Sequence, residues 1–234
     1  MTPLNPAPSL IVFDVNETLS DMAPIAERFA DLGAGRHSAD AWFAALLRDG
    51  FALTAAGASQ PFATVAEGLL RVMLARTIPD GGLEAAVAHV LDGLATLDVH
   101  PDVPEGIEAL AAAGHRMVTL SNGSAEVAER LLAACGMRRH VEACLSVEDA
   151  GAWKPARNAY LYAAAVCEVE PRRMLMAAVH PWDIDGASRA GLRTAWIDRD
   201  ARPYPGYFVA PDVIVNGLTE LPEHLEGSPG APRG

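Results

Sequence analysis

The sequence predicts an α/β protein in which a parallel sheet alternates with helices and a helical segment is inserted after the first strand. Short apolar runs that each end in polar residues, helical stretches between the later runs, and one long strand-free stretch carry that expectation.

Ser9 to Phe13 is a continuous apolar run, the pattern of a strand buried on both faces. From about Ser20 to Asp98 no comparable run occurs, and Ala39 to Arg48 and Ala63 to Arg76 carry apolar residues at helical spacing. After that point helix and strand alternate. Helices are expected over Pro104 to Ala113, Ala125 to Cys135, Asn158 to Val166 and Asp183 to Ala190; strands over Arg116 to Leu120, Ala143 to Leu145, Met174 to Ala178 and Thr194 to Ile197. Gly114, Gly136 and Gly191 follow three of these helices, where a glycine stop belongs. The expected division is a core of residues 1–19 and 98–226, a helical cap of 20–97 and a flexible Gly/Pro/Ser-rich tail of 227–234.

At 234 residues, 50% hydrophobic and 21% charged, the chain has the make-up of a globular protein with a sizeable core. Its formal net charge of −12 argues against nucleic acid, which demands a basic patch. The same charge repels small carboxylates at long range, so an anionic substrate must be caught by local donors. Cys135, Cys144 and Cys167 lack CxxC spacing and read as buried reduced thiols. The N-terminus lacks the pattern of a secretory signal, and no apolar run nears the ~20 residues that span a bilayer. A cytoplasmic protein without membrane or nucleic-acid partners is the expectation.

Four polar islands each follow an apolar run, and the carboxyl edge of an open parallel sheet is where such folds bind ligands. They are Asp14-Val15-Asn16-Glu17-Thr18-Leu19, Ser121-Asn122-Gly123-Ser124, Lys154-Pro155 with Tyr160, and His180-Pro181-Trp182-Asp183. Their order along nearly the whole chain resembles the haloacid dehalogenase (HAD) superfamily. The resemblance implies a Rossmann-like core with the first strand central, bringing Asp14, Ser121 and His180 into one crevice.

The magnesium-dependent phosphatases of that superfamily carry a second aspartate where this chain has Asn16, and an amide cannot donate the proton a leaving group needs. The last motif is also short of carboxylates for a hard cation. The cofactor-free branch, the (S)-2-haloacid dehalogenases, is more similar, down to the Trp-Asp pair and a tyrosine six residues after the lysine.

That resemblance implies an Asp14 carboxylate that displaces halide from C2 of a short haloacid, giving an ester that water hydrolyses. Ser121, with backbone N–H groups at Val15 and Asn16, would hold the substrate carboxylate. Asn122 would receive the halide, Thr18 would orient Asp14, and Lys154, tied to Tyr160, would keep Asp14 ionised, while Asp183 would assist or anchor in the later attack of water on the ester. The blander roles are an N-cap for Ser121 and a surface position for Lys154.

Two departures are informative. Glu17 stands where the family has glycine, and His180 where dehalogenases have a small amide residue. If the two meet, a carboxylate orienting an imidazole makes a base for the hydrolytic water. An arginine that many relatives carry after a cap tryptophan is missing: Phe43 follows Trp42, with Arg36 or Arg48 as substitutes. Trp42, Phe43 and Phe62 would then wall the leaving group. The alternatives are a magnesium-dependent phosphatase on a small phosphate ester, or a silent relative that binds a carboxylate. A homodimer is possible by analogy with the family.

Overall fold

The computed structural model describes residues 8–79 and 81–225, so the expected tail of 227–234 lies outside them. Six parallel strands form one sheet in the order β3-β2-β1-β4-β5-β6. These are β1 (Leu10–Phe13), β2 (Met117–Ser121), β3 (Ala143–Ser146), β4 (Met174–Ala178), β5 (Arg193–Ile197) and β6 (Val213–Val215). Side chains alternate across a strand, so β1 divides its residues between two cores. Leu10 and Val12 pack on one side with Val118, Met174 and Met176; Ile11 and Phe13 pack on the other with Met117, Leu175 and Ala177.

Among the described residues, the segment 20–97 after β1 holds four helices: α1 (Ile25–Asp31), α2 (Ser38–Ala55), α3 (Phe62–Leu74) and α4 (Leu83–Ala95). The remaining helices are α5 (Val103–Ala112), α6 (Ala125–Ala134), α7 (Val147–Ala150), α8 (Arg157–Val166), α9 (Pro181–Ala190) and α10 (Leu221–Leu225). Gly114, Gly136 and Gly191 adopt φ of 81°, 75° and 98°, as glycines that end helices should.

The five expected strands are present within a residue or two of their expected bounds. β6 escaped notice because it has three residues, of which Ile214 is half exposed at the sheet edge. Helix α2 runs seven residues further than expected, straight through Gly50. A glycine inside a helix normally weakens it; here a Cβ would lie 2.2 Å from the Trp153 ring. Trp153 locks the insertion to the sheet segment, donating from its backbone N to Thr54 Oγ1 (3.1 Å) and from Nε1 to the Gln60 carbonyl (3.0 Å). Gly50→Ala should therefore destabilise the protein by about 1–3 kcal/mol through overpacking, despite its better helix propensity. A denaturant midpoint raised by that substitution would remove the close approach from consideration.

The three cysteines are free, as expected, but half-buried rather than fully enclosed. Among the described residues no helix is long and apolar enough to cross a membrane.

Candidate active site

Asp14 follows β1 directly, and its backbone N donates to the Ala177 carbonyl of β4 at 3.1 Å, which fixes it against the neighbouring strand. Its carboxylate is 3% exposed and held at both oxygens. Oδ1 accepts from Lys154 Nζ at 2.8 Å and Oδ2 from Thr18 Oγ1 at 2.7 Å. Thr18 Oγ1 in turn accepts from the Val179 backbone N at 3.1 Å, tying the loop after β1 to the loop after β4.

The Lys154 ammonium bridges two carboxylates, reaching Asp183 Oδ2 at 2.7 Å as well. Tyr160 differs from expectation: its hydroxyl lies 2.6 Å from Asp183 Oδ1 and grips the second carboxylate instead of the lysine. Lys154, Tyr160 and Asp183 are completely buried. Burial pushes the Asp14 carboxyl up, but the Lys154 ammonium, His180 and the hydrogen bonds from Lys154 and Thr18 outweigh it and hold the group below its ordinary value of 3.8. For Asp183 burial wins, and its carboxyl lies above the ordinary value. Burial opposes the charge on Lys154 too, yet the two carboxylates keep its ammonium above the usual range.

His180 sits at the start of α9, its ring stacked on Trp182 with centroids 4.8 Å apart, and 6.3 Å from the ring of Phe43. Its Nε2 lies 3.2 Å from the Asn16 carbonyl oxygen, 3.5 Å from Glu17 Oε2 and 3.6 Å from Asp14 Oδ2. A carbonyl oxygen only accepts, so Nε2 carries a hydrogen there. Glu17 and His180 thus meet as the sequence suggested, but at the nitrogen that faces Asp14. The carboxylate does not orient the ring from its far side.

Glu17 has φ of 61°, in the left-handed region that glycine visits freely and other residues rarely do. That conformation accounts for the glycine of the family pattern. His100 Nε2 donates to the Glu17 carbonyl at 3.0 Å and holds the turn. Burial raises the Glu17 carboxyl above its ordinary value of 4.5, against a lowering by His180.

Ser121 ends β2. Its Oγ accepts from Gly123 N at 2.9 Å, leaving the O–H free to donate. Asn122 makes two contacts that the sequence did not suggest. Its Oδ1 accepts from Lys154 N at 2.9 Å and its Nδ2 donates to Lys154 O at 3.3 Å, so this side chain clamps the lysine's backbone. Val15 and Asn16 lie in the turn after Asp14; the Asn16 amide is near Ser121 and its carbonyl accepts from His180, while Val15 packs in the core.

The aromatic wall forms only in part. Phe43 faces His180, whereas Trp42 is wholly buried inside the insertion, against Phe29 and donating from Nε1 to the Ala66 carbonyl. Phe62 stacks on Trp153 at 5.8 Å. Neither substitute for the missing arginine reaches the site: Arg36 pairs with Glu27 and Arg48 with Asp49, both on the surface. Sequence reasoning missed Trp182 as the platform for His180, although its place two residues after the histidine, at the start of a helix, was visible.

The donor set does not suit Mg²⁺, which asks for an octahedron of hard oxygens. Asp14 is flanked by an ammonium, a hydroxyl and an imidazole N–H, and Asp183 is spent on the same ammonium.

A model of the haloacid dehalogenase-like hydrolase family matches residues 8–191, and the chain belongs to that family. Among curated proteins it resembles (S)-2-haloacid dehalogenase 4A of Burkholderia cepacia, 35% identical over 126 residues, which are 53% of this chain and 54% of that protein. The chain thus spans about half the length of that relative. It is 26% identical over 223 residues to the (S)-2-haloacid dehalogenase of Pseudomonas sp. (strain YL), covering 94% of this chain and 95% of that one. Among solved structures, a dehalogenase with an intermediate complex superposes with a TM-score of 0.86 at 26% identity, over 94% of this chain and 99% of the other. An L-2-haloacid dehalogenase gives 0.85 at 27% identity, over 94% and 99%.

Proposed function

We propose that the chain hydrolyses short (S)-2-haloacids to (R)-2-hydroxyacids through an ester on Asp14. The observation that carries this reading is a dry aspartate kept ionised by a fully buried lysine, the state a carboxylate nucleophile needs. Relatives named for this activity support it.

In this reading the Ser121 hydroxyl and backbone N–H groups at Val15 and Asn16 hold the substrate carboxylate. An Asp14 oxygen attacks C2 from the side opposite the halogen; the new C–O bond forms as the carbon–halogen bond breaks, and halide leaves with the electron pair. The helices of residues 20–97 cap the site and exclude water during this step, which strengthens every charge interaction inside it. Phe43 and Trp182 border the leaving group. Water then adds to the Asp14 Cγ, and collapse expels the hydroxyacid oxygen, so C2 is inverted once. The water proton goes to the Glu17–His180 pair and is returned to the departing hydroxyacid oxygen. Since Nε2, the ring nitrogen that faces Asp14, already donates to a carbonyl oxygen, we assign the acceptor role on that side to Glu17, whose raised pKa improves it as a base.

Single turnover in ¹⁸O-water is expected to label the Asp14 carboxylate and leave the hydroxyacid unlabelled. Label found first in the hydroxyacid overturns the ester route in favour of direct attack by water.

A further inference from the structure

Two cavities flank the loop after β1, and they differ in chemistry. One, of about 530 Å³, borders Glu17 and His180 and is lined by charged groups that include Asp40, Asp198, Arg199 and Arg202. The other, of about 410 Å³, lies between α3, α4 and α6. Its wall is mainly apolar, with Ala66, Leu91, Leu94, Leu97, Val127 and Leu131.

This second cavity meets the active site at Asn16 and Gly123. A methyl group built on Gly123 would lie 3.3 Å from Ser121 Oγ, 3.8 Å from Asn16 Nδ2 and 4.0 Å from the Phe62 ring. Gly123 has no side chain to fill the space between Ser121, Asn16 and Phe62, where the cavity borders the donors assigned to the substrate carboxylate. A haloacetate or halopropionate has nothing to place in that space. An unbranched alkyl tail on C2 does, and the charged cavity on the opposite side offers it no comparable surface.

We propose that the α3–α4–α6 cavity is a subsite for the C2 substituent, and that medium-chain 2-haloalkanoates are the preferred substrates. The inference rests on the dehalogenase reading and narrows its substrate class. Each methylene moved from water into an apolar wall improves binding about fourfold, so several together give a large selectivity.

The test compares 2-bromopropionate with 2-bromooctanoate in wild type, Val127→Trp and Leu94→Trp, the second variant guarding against a folding failure of the first. Wild type should favour the octanoate by about tenfold or more in kcat/KM. Filling the cavity should erase that preference while leaving 2-bromopropionate within about twofold of wild type. A wild type that turns over the propionate but discriminates against the octanoate overturns the subsite, as does octanoate turnover unchanged in both folded variants. A dimer that both variants dissociate, with selectivity unchanged, gives the cavity to a second copy instead. If neither bromoacid is hydrolysed, the dehalogenase reading fails, and calorimetry with octanoate still decides the cavity: binding to wild type that the variants lose supports it, and no binding ends it.

Discussion

Methionine in place of Lys154 is expected to lower kcat/KM for 2-chloropropionate on the order of a hundred- to a thousandfold and to cost about 3–5 kcal/mol of stability at neutral pH. The isostere removes the ammonium that two buried carboxylates, Asp14 and Asp183, share. In the native protein Asp14 has a depressed pKa, so its ionisation stabilises the fold above the ordinary carboxylate value and that gain fades as pH falls through the depressed one. Without Lys154 the Asp14 carboxyl rises above its unfolded value and its sign reverses, while Asp183, already raised, rises further: stability is lost as pH increases through the carboxylate range. Denaturation of the variant at pH 4 and pH 7 should show the acidic sample to be the more robust relative to wild type. Equal losses at both pH values would show that the lysine is not the counter-ion of this pair.

Glutamine at position 17 is expected to separate the two half-reactions. Removing a general base costs roughly 10²–10⁴-fold in the step it serves, so ester hydrolysis should slow by at least about a hundredfold while the first halide is still released. The signature is one equivalent of halide per enzyme followed by near arrest, with the Asp14 peptide heavier by the 1-carboxyalkyl group of the substrate. The pH profile adds an independent check. Native Asp14 is held low and stays ionised across the mild acid range, whereas Glu17 is raised, so native kcat should fall as pH drops through the raised Glu17 value. The glutamine variant should lack that acid limb. An unchanged limb with no trapped ester would move the base elsewhere, His180 being the next group to test.

Much of this site was legible because its residues come in islands immediately after strands, where a parallel sheet gathers its strand ends. Asp14, Ser121, Lys154 and His180 converge for that reason, and the glycine stops marked three helix ends correctly. What could not be read was which side chain touches which across separate islands. Tyr160 and Lys154 are six residues apart, yet the tyrosine spans to Asp183. The clamp of Asn122 on a backbone thirty-two residues on had no sign in the sequence. Trp42 seemed a wall residue because aromatic residues in a cap suggest one, while its indole lies inside the insertion. Gly50 gave no hint of the ring that excludes its side chain, since only the folded chain brings Trp153 there.

The position of β1 in the sheet has a consequence for biosynthesis. Leu10 pairs with Met174 and Ile11 with Met117, so the strand that leads into Asp14 is made before its neighbours and must wait for residues near 117 and 174. A nascent chain paused before the second of these presents an apolar ribbon with one edge unpartnered, the kind of species that aggregates or recruits chaperones. Such long-range closure predicts slow refolding, and it makes truncation near the C-terminal third more damaging to the N-terminal strand than its distance in sequence suggests.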